Sequence, residues 1–357
     1  MMTNPYTLVS DQKQNLLLEG LNELTKHHIE QCALYRSMIE KSSLPSNSNR
    51  LEAVPYLPVQ LFKMMDLTSI PKSDVVKTLT SSGTTGQQVS KIYLDKETAA
   101  AQSRALVDVM KPLLGSQRLP MIIFDTKSVL KDRRSFSARG AGILGFANFG
   151  RHHFYAMFDD MTVDWDGLED FLLEHRNSKI LLFGFTYMVW KHVYQEAKRS
   201  GKTLDFGDSI LIHGGGWKKL QDEAVDSTTF KSELKRVLGI QKVHNYYGMV
   251  EQVGSIFVEC KQGHLHTPHF ADVIVRDSLS FKPLPYGQQG LIQVQSLLPR
   301  SYPGHSLLTE DLGTIHGEDD CPCGWKGKYF TVAGRIPKAE LRGCSDTYGF
   351  GQGGSNS

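Results

Sequence analysis

Between residues 92 and 247 the chain repeats one pattern: a short apolar run, a longer amphipathic stretch, then another apolar run. Ile92–Leu94, Pro120–Phe124, Lys179–Phe183, Asp208–Ile212 and Val243–Tyr247 have strand length and composition. Lys96–Met110, Trp165–His175, Met188–Ser200 and Gln221–Leu238 have helical spacing between them. Apolar runs of this kind have no face to show water, so both faces of the sheet they form must be covered. Strands alternating with helices therefore imply parallel pairing with helices packed on the sheet.

The flanks read differently. Ser10–Lys41 is an expected helix, capped by Ser10, with Leu16, Leu17, Leu21, Leu24 and Ile29 on its apolar face. Pro45, Pro55, Pro58 and Pro71 then break the chain into extended pieces, with Val59–Lys63 as a short helical turn. After Gly254, short β-like segments (Ser255–Glu259, Ala271–Arg276, Gly290–Ser296) are separated by Gly and Pro. They predict an antiparallel β subdomain on the α/β part. The end, Tyr348–Ser357, is Gly-rich and expected to fray.

Composition narrows the classes. With 40% hydrophobic and 22% charged residues over 357 positions, the chain is globular. A net charge of +2 without a polybasic stripe gives no footprint for nucleic acid. The longest apolar run, Ile180–Trp190, is too short to span a bilayer and is followed by Lys191 and His192. Met1–Asp11 lacks the pattern of a signal peptide. Five cysteines, an odd and sparse set, argue against a disulfide framework and for a reducing, cytoplasmic setting.

One segment raises a chemical question. Lys77–Lys91 reads Lys-Thr-Leu-Thr-Ser-Ser-Gly-Thr-Thr-Gly-Gln-Gln-Val-Ser-Lys. Gly83 and Gly86 let backbone N–H groups converge, and Ser81, Ser82, Thr84 and Thr85 add hydroxyls. No Gly-Lys-Ser/Thr ends it, so it is not a Walker A loop. Taken alone, it fits a solvated linker as well as a phosphate cradle. Three later segments bear on the choice: Asn245–Gln252 (Asn-Tyr-Tyr-Gly-Met-Val-Glu-Gln), Leu308–Gly313 with Asp311 in an expected turn, and Gly334–Gly343 opening on Gly-Arg.

That order and wording resemble the adenylate-forming superfamily. The His213-Gly-Gly-Gly-Trp-Lys218 segment, Tyr246–Gln252 and the ending Arg342-Gly-Cys-Ser345 resemble, more narrowly, the acyl-protein synthetase family, whose relatives are phenylacetate–CoA-ligase-like. The resemblance runs from Val59 to about Ser345. It implies an α/β fold: an adenylate-forming N-terminal domain over 1–335, with parallel sheets flanked by helices and an antiparallel β subdomain, and a short tail over 336–357 in place of most of the lid domain.

It also implies a reaction. A carboxylic acid, most simply a fatty acid, attacks the α-phosphate of ATP to give an acyl-adenylate and pyrophosphate; a thiol then takes the acyl group. Carried over residue by residue, Ser81, Ser82, Gly83, Thr84, Thr85 and Gly86 hold the β- and γ-phosphates. Glu251 helps to hold Mg²⁺, a hard cation suited to carboxylate and phosphate oxygens. Tyr246, Tyr247 and Gly248 flank the nucleotide, Gly214, Gly215 and Gly216 line the base, Asp311 accepts from the ribose hydroxyls, and Arg335 reaches the ribose or phosphate. Each has a plainer alternative: strand aromatics, a surface acid, a turn-former, an ion-pair partner or a tight turn.

Two departures stand out. Gln87 and Gln88 occupy positions where many relatives carry Lys. Relatives also continue into a lid with a catalytic lysine, whereas this sequence runs to Ser357 and offers only Lys338, which is not favoured.

The cysteines divide into two groups. In acyl-protein synthetases a cysteine near the C-terminus becomes acylated, which makes Cys344 the candidate nucleophile, with an ordinary small residue as the equal alternative. Cys321-Pro-Cys323-Gly forms a knuckle that can place two thiolates on one metal; Cys260 and the His264-x-His266 pair can supply the rest. Three Cys and one His make a closed, structural Zn²⁺ site, with His266 preferred over His264. His152, His153 and Phe183–Thr186 are candidates for an acyl pocket, or for an exposed loop pair and a plain strand end.

Three functions fit: an acyl-protein synthetase passing an acyl group through Cys344 to a partner such as a reductase or carrier, an acyl- or aryl-CoA ligase with an external thiol, and a non-catalytic nucleotide- or acyl-binding subunit.

Overall fold

The computed structural model describes residues 4–42, 44–81, 89–130, 138–217 and 223–336. Helix α1 (Ser10–Gln31) buries Leu17, Leu21, Leu24, Thr25 and His28 along one stripe. Cys32 is extended (φ −122°, ψ 101°), so the expected single helix breaks there and resumes as α2 (Ala33–Lys41). Ser10 is not the cap expected of it. Val9 holds that position, and the Ser10 backbone N–H donates instead to Asp319, 2.7 Å away.

Strand β1 (Leu57–Pro58) precedes the short helix α3 (Leu61–Met64). Strands β2 (Lys77–Thr80) and β3 (Lys91–Leu94) pair as a separate antiparallel hairpin. Helix α4 (Lys96–Leu114) starts at Asp95, whose carboxylate accepts from Thr98 N–H at 2.7 Å, a side-chain cap. Then come β4 (Leu119–Thr126), α5 (Ala138–Ala147), β5 (Gly150–Met157), α6 (Trp165–Glu174) and β6 (Ile180–Phe185). Helix α7 (Thr186–Met188) runs through a π-helical stretch, Val189–Tyr194, into α8 (Gln195–Ser200). Strand β7 (Ser209–Gly214) leads to α9 (Ser227–Leu238), which starts later than its periodicity suggests because Asp226 caps it. The chain continues as β8 (Lys242–Tyr247), β9 (Phe257–Glu259), β10 (Leu265–His266), β11 (Ala271–Arg276), β12 (Gln289–Ser296), β13 (Ser306–Glu318) and β14 (Lys328–Arg335).

The strand order is β11-β12-β13-β14-β10-β9-β8-β7-β6-β4-β5, with β1 added to β13. Strands β5, β4, β6, β7 and β8 are parallel, as the strand–helix alternation requires. The expected antiparallel strands are present and continue the same sheet through the β8–β9 pair. Strand alternation serves two cores. Met121, Ile123, Leu181, Phe183, Ile210 and Ile212 face one; Ile122, Phe124, Leu182 and Leu211 face the other. All eight residues of β4 are buried, which is why its run is uniformly apolar up to Phe124.

Candidate functional site

In a parallel sheet, ligands bind beyond the carboxyl ends of the strands. There, Phe185, Gly214 and Tyr246 lie in one row across β6, β7 and β8. A Cβ on Gly214 would come within 2.5 Å of the Tyr246 ring, and Gly215 has φ +78°, so this row needs glycine to bring the aromatic ring against the backbone. Nothing crowds Gly216. Thr186 Oγ1 donates to Gly214 O at 3.2 Å and meets His213 Nδ1 at 3.0 Å, pinning the end of β7 from behind.

Tyr247 is the last residue of β8, and Gly248 follows it. The Tyr247 hydroxyl donates to Asp311 Oδ2 at 2.7 Å. Burial, and then the neighbouring carboxylate, hold this phenol well above its usual pKa, so it stays a donor. Asp311 also faces Arg335, Nε to Oδ1 3.4 Å, across the β13–β14 register. Asp311 is not in the expected turn. It sits inside a 13-residue strand, where pairing with β14 fixes both it and Arg335. Arg335 is three-quarters exposed, so its guanidinium remains accessible.

Glu251 lies on a 3₁₀ turn after β8 and is buried. Burial raises its pKa, opposed by the Ser90 hydroxyl, its own backbone N–H and the charges of Lys63 and Arg335. A cation beside it would oppose that rise by favouring the charged carboxylate. Ser90 belongs to the neck of the β2–β3 hairpin. Its N–H donates to Ser81 Oγ at 2.9 Å, and Ser81 N–H returns to Ser90 O at 3.1 Å. Ser81 thus anchors the neck. Ser82, Gly83, Thr84, Thr85 and Gly86 lie outside the described residues, as does Cys344.

Ser90 and Lys63 both contribute to the electrostatics of Glu251, although neither stands out in the sequence. Neither carries a motif; only the β-pairings bring them to Glu251. His153 bonds Ala147 O at 2.9 Å on β5, and Phe185 rather than His153 reaches the crevice row.

The Cys/His cluster is a second, closed site. The ligand atoms of Cys260, His266, Cys321 and Cys323 all lie within 4.8 Å of one another. Cys260 and Cys321 sulfurs are 4.0 Å apart, and Cys323 Sγ is 3.4 Å from His266 Nε2, close to the edges of a tetrahedron around one zinc ion. Backbone N–H groups of Gln262 and Trp325 donate to Cys260 and Cys323 sulfurs at 3.3 and 3.2 Å. Burial pushes the Cys323 thiol up to about 12, so without a cation it stays neutral. The second histidine, His264, stands outside the four, 3.9 Å from Cys321. The N-terminal strap covers this cluster. Tyr6 stacks on Trp325 (4.2 Å, 3°) and meets His266 edge-on, while Lys326 N–H donates to Tyr6 O at 2.9 Å.

The fold is that of adenylate-forming ligases. Solved structures of a 2-hydroxyisobutyryl-CoA ligase share the fold: in an open conformation the TM-score is 0.72 at 17% identity, covering 94% of this chain and 77% of that one. In the postadenylation state the TM-score is also 0.72 at 17% identity, covering 93% and 70%. The chain matches the family described as "Acyl-protein synthetase, LuxE" over residues 1–349 and belongs to it. Two curated relatives are long-chain-fatty-acid–luciferin-component ligases. The one from Vibrio harveyi is 25% identical (94% of this chain, 88% of that protein). The one from Aliivibrio fischeri is 23% identical (96% and 90%). The protein is an AMP-forming ligase that activates a carboxylic acid with ATP. Among the described residues no helix is long and apolar enough to cross a membrane.

Proposed function

We propose that the chain activates a long-chain fatty acid as its adenylate and passes the acyl group to the thiol of Cys344, for delivery to a reductase or carrier in the cytoplasm. The observation that carries the site assignment is the convergence of Glu251 with the Tyr247–Asp311–Arg335 chain at the carboxyl edge of β8. Asp311 keeps one carboxylate oxygen for Tyr247 and can offer the other to a ribose hydroxyl. Tyr246 with Gly214, Gly215 and Gly216 forms a flat seat for the base. Ser81, Ser82, Gly83, Thr84, Thr85 and Gly86 are assigned to the β- and γ-phosphates, Arg335 to the ribose or α-phosphate, and Glu251 to Mg²⁺, which would neutralise phosphate charge. Cys260, His266, Cys321 and Cys323 fit Zn²⁺, with four protein ligands and no open position, hence a structural ion.

The test is acid-dependent ATP–pyrophosphate exchange over a series of fatty-acid chain lengths, followed by intact-protein mass. Exchange peaking at long chains and a hydroxylamine-labile acyl adduct lost in Cys344→Ser are expected. Exchange with no acid would overturn the adenylation reading. An adduct that persists in Cys344→Ser would remove Cys344, and turnover only with added coenzyme A would favour an external thiol.

A further inference from the structure

Lys63 occupies a place that nothing in the motif pattern marks. Helix α3, which carries it, is fixed at two points. Upstream, β1 pairs with β13 (Leu57 with Leu307, Pro58 with Leu308), Val59 N–H donates to Leu308 O at 2.9 Å, and the Gln60 amide bonds the Glu310 carboxylate. These contacts end one residue short of Asp311. Next to Lys63, fully buried Phe62 packs edge-on against Tyr302 (6.0 Å, 88°). Tyr302 in turn lies against the Glu251 region: a Cβ on Gly304 would touch both the Tyr302 ring and, at 2.9 Å, Glu251 O.

Lys63 is therefore held between the residue assigned to the ribose and the residue assigned to the metal. It is partly exposed, its charge acts on the Glu251 carboxyl, and among the described residues it forms no salt bridge. A nucleotide with its ribose at Asp311 and its metal-bound phosphates toward Glu251 has its α-phosphate between them. Resting on the adenylation reading, we infer that Lys63 is a catalytic residue whose ammonium group contacts the α-phosphate of ATP.

The step balances without a proton transfer. The substrate carboxylate oxygen forms a bond to the α-phosphorus, and the bond from that phosphorus to the bridging oxygen of pyrophosphate breaks. The leaving pyrophosphate takes the electron pair. Lys63 transfers no proton in the step, and its positive charge offsets the charge that gathers when a carboxylate approaches a triphosphate. An ammonium on a short helix anchored at both sides is positioned before substrate arrives, so little reorganisation is needed in the transition state.

The experiment compares wild type with Lys63→Ala, Lys63→Gln and Lys63→Arg. The binding arm measures AMP and adenosine by calorimetry and needs no turnover. Lys63→Ala and Lys63→Gln should weaken AMP about 10-fold and leave adenosine unchanged, because one charge-assisted contact is lost. The kinetic arm measures exchange and, separately, acylation of the protein from synthetic acyl-adenylate. Exchange should fall about 100-fold in Lys63→Ala and recover in part in Lys63→Arg, while transfer from the adenylate stays within about twofold. Thermal midpoints should agree within about 2 °C, as befits a side chain partly in solvent.

Equal loss of AMP and adenosine, or no loss of AMP, overturns the assignment. So does equal loss of exchange and of transfer. If wild type exchanges with no acid while AMP binding still depends on Lys63, adenylation fails and the phosphate contact stands.

Discussion

The Cys/His cluster and the crevice are two candidate sites built in opposite ways. The cluster draws on two short segments, 260–266 and 321–323, each shaped by tight turns. Its thiols are buried or half-buried and capped by Tyr6 and Trp325. The crevice draws on residues spread from Lys63 to Arg335, and its charges range from buried Glu251 to open Arg335. A closed, locally built site suits an ion that holds the fold, whereas an open, globally assembled one suits a ligand that enters and leaves. The two should therefore fail differently when damaged.

The largest effect should come from Cys321→Ser. If the cluster holds zinc, elemental analysis should find about one ion per wild-type chain and none in the variant. The variant should lose stability on the scale of several kcal/mol, read as a fall in thermal midpoint or as insoluble protein. A wild type without metal, or a variant as stable as wild type, would break the contrast between the two sites.

Acid should act on a third region as well as on the two sites. His28 and His305 stack at 5.0 Å in the joint between α1 and the 299–305 segment, bonded to Ser69, Pro299 O and Thr25. Burial holds His28 well below its usual pKa and His305 at about 3, so both stay neutral in the fold. The unfolded chain takes up their protons below about pH 6.5. Stability is then present above that pH and lost as pH falls toward the folded values, by about 1.4 kcal/mol per histidine per pH unit. Urea midpoints between pH 7 and 5 should show this slope in wild type and a shallower one in His305→Gln.

The smallest effect on the fold should be that of Tyr247→Phe. It removes the hydroxyl that donates to Asp311 and also meets Thr309, at about 1 kcal/mol of stability. Because Asp311 is freed to turn, ATP affinity should fall about 3- to 10-fold with the zinc content unchanged. A Tyr247→Phe protein that lost its metal would show the two sites to be coupled.

How much could be read beforehand follows the same division. The parallel strands announced themselves because uniform burial makes uniform apolar runs, as in β6 and β7. Strand β5 was hidden by charged and histidine side chains at a sheet edge, and α5 by three glycines in ten residues. Strand β13 was hidden for another reason. It faces the crevice around Asp311, and bulges at Leu312/Gly313 and Ile315/Gly317 break its alternation, so a strand carboxylate looked like a turn. The four cluster residues were legible because their spacing is local. Lys63 and Ser90 were not, since their relation to Glu251 depends on β1 meeting β13 and on β2 meeting β3.

The N-terminal strap has a consequence for synthesis. Ser10 bonds Asp319 across 309 residues, Tyr6 needs Trp325, and Lys13 shares buried Asp272 with Lys328. On the ribosome, the leucine stripe of the first helix can meet Leu51 and Val54 early but must wait for Ile274 and Leu297, and its N-terminal strap for Asp319 and Trp325. Chaperones that hold apolar helices would find their longest window here, at the beginning of the chain.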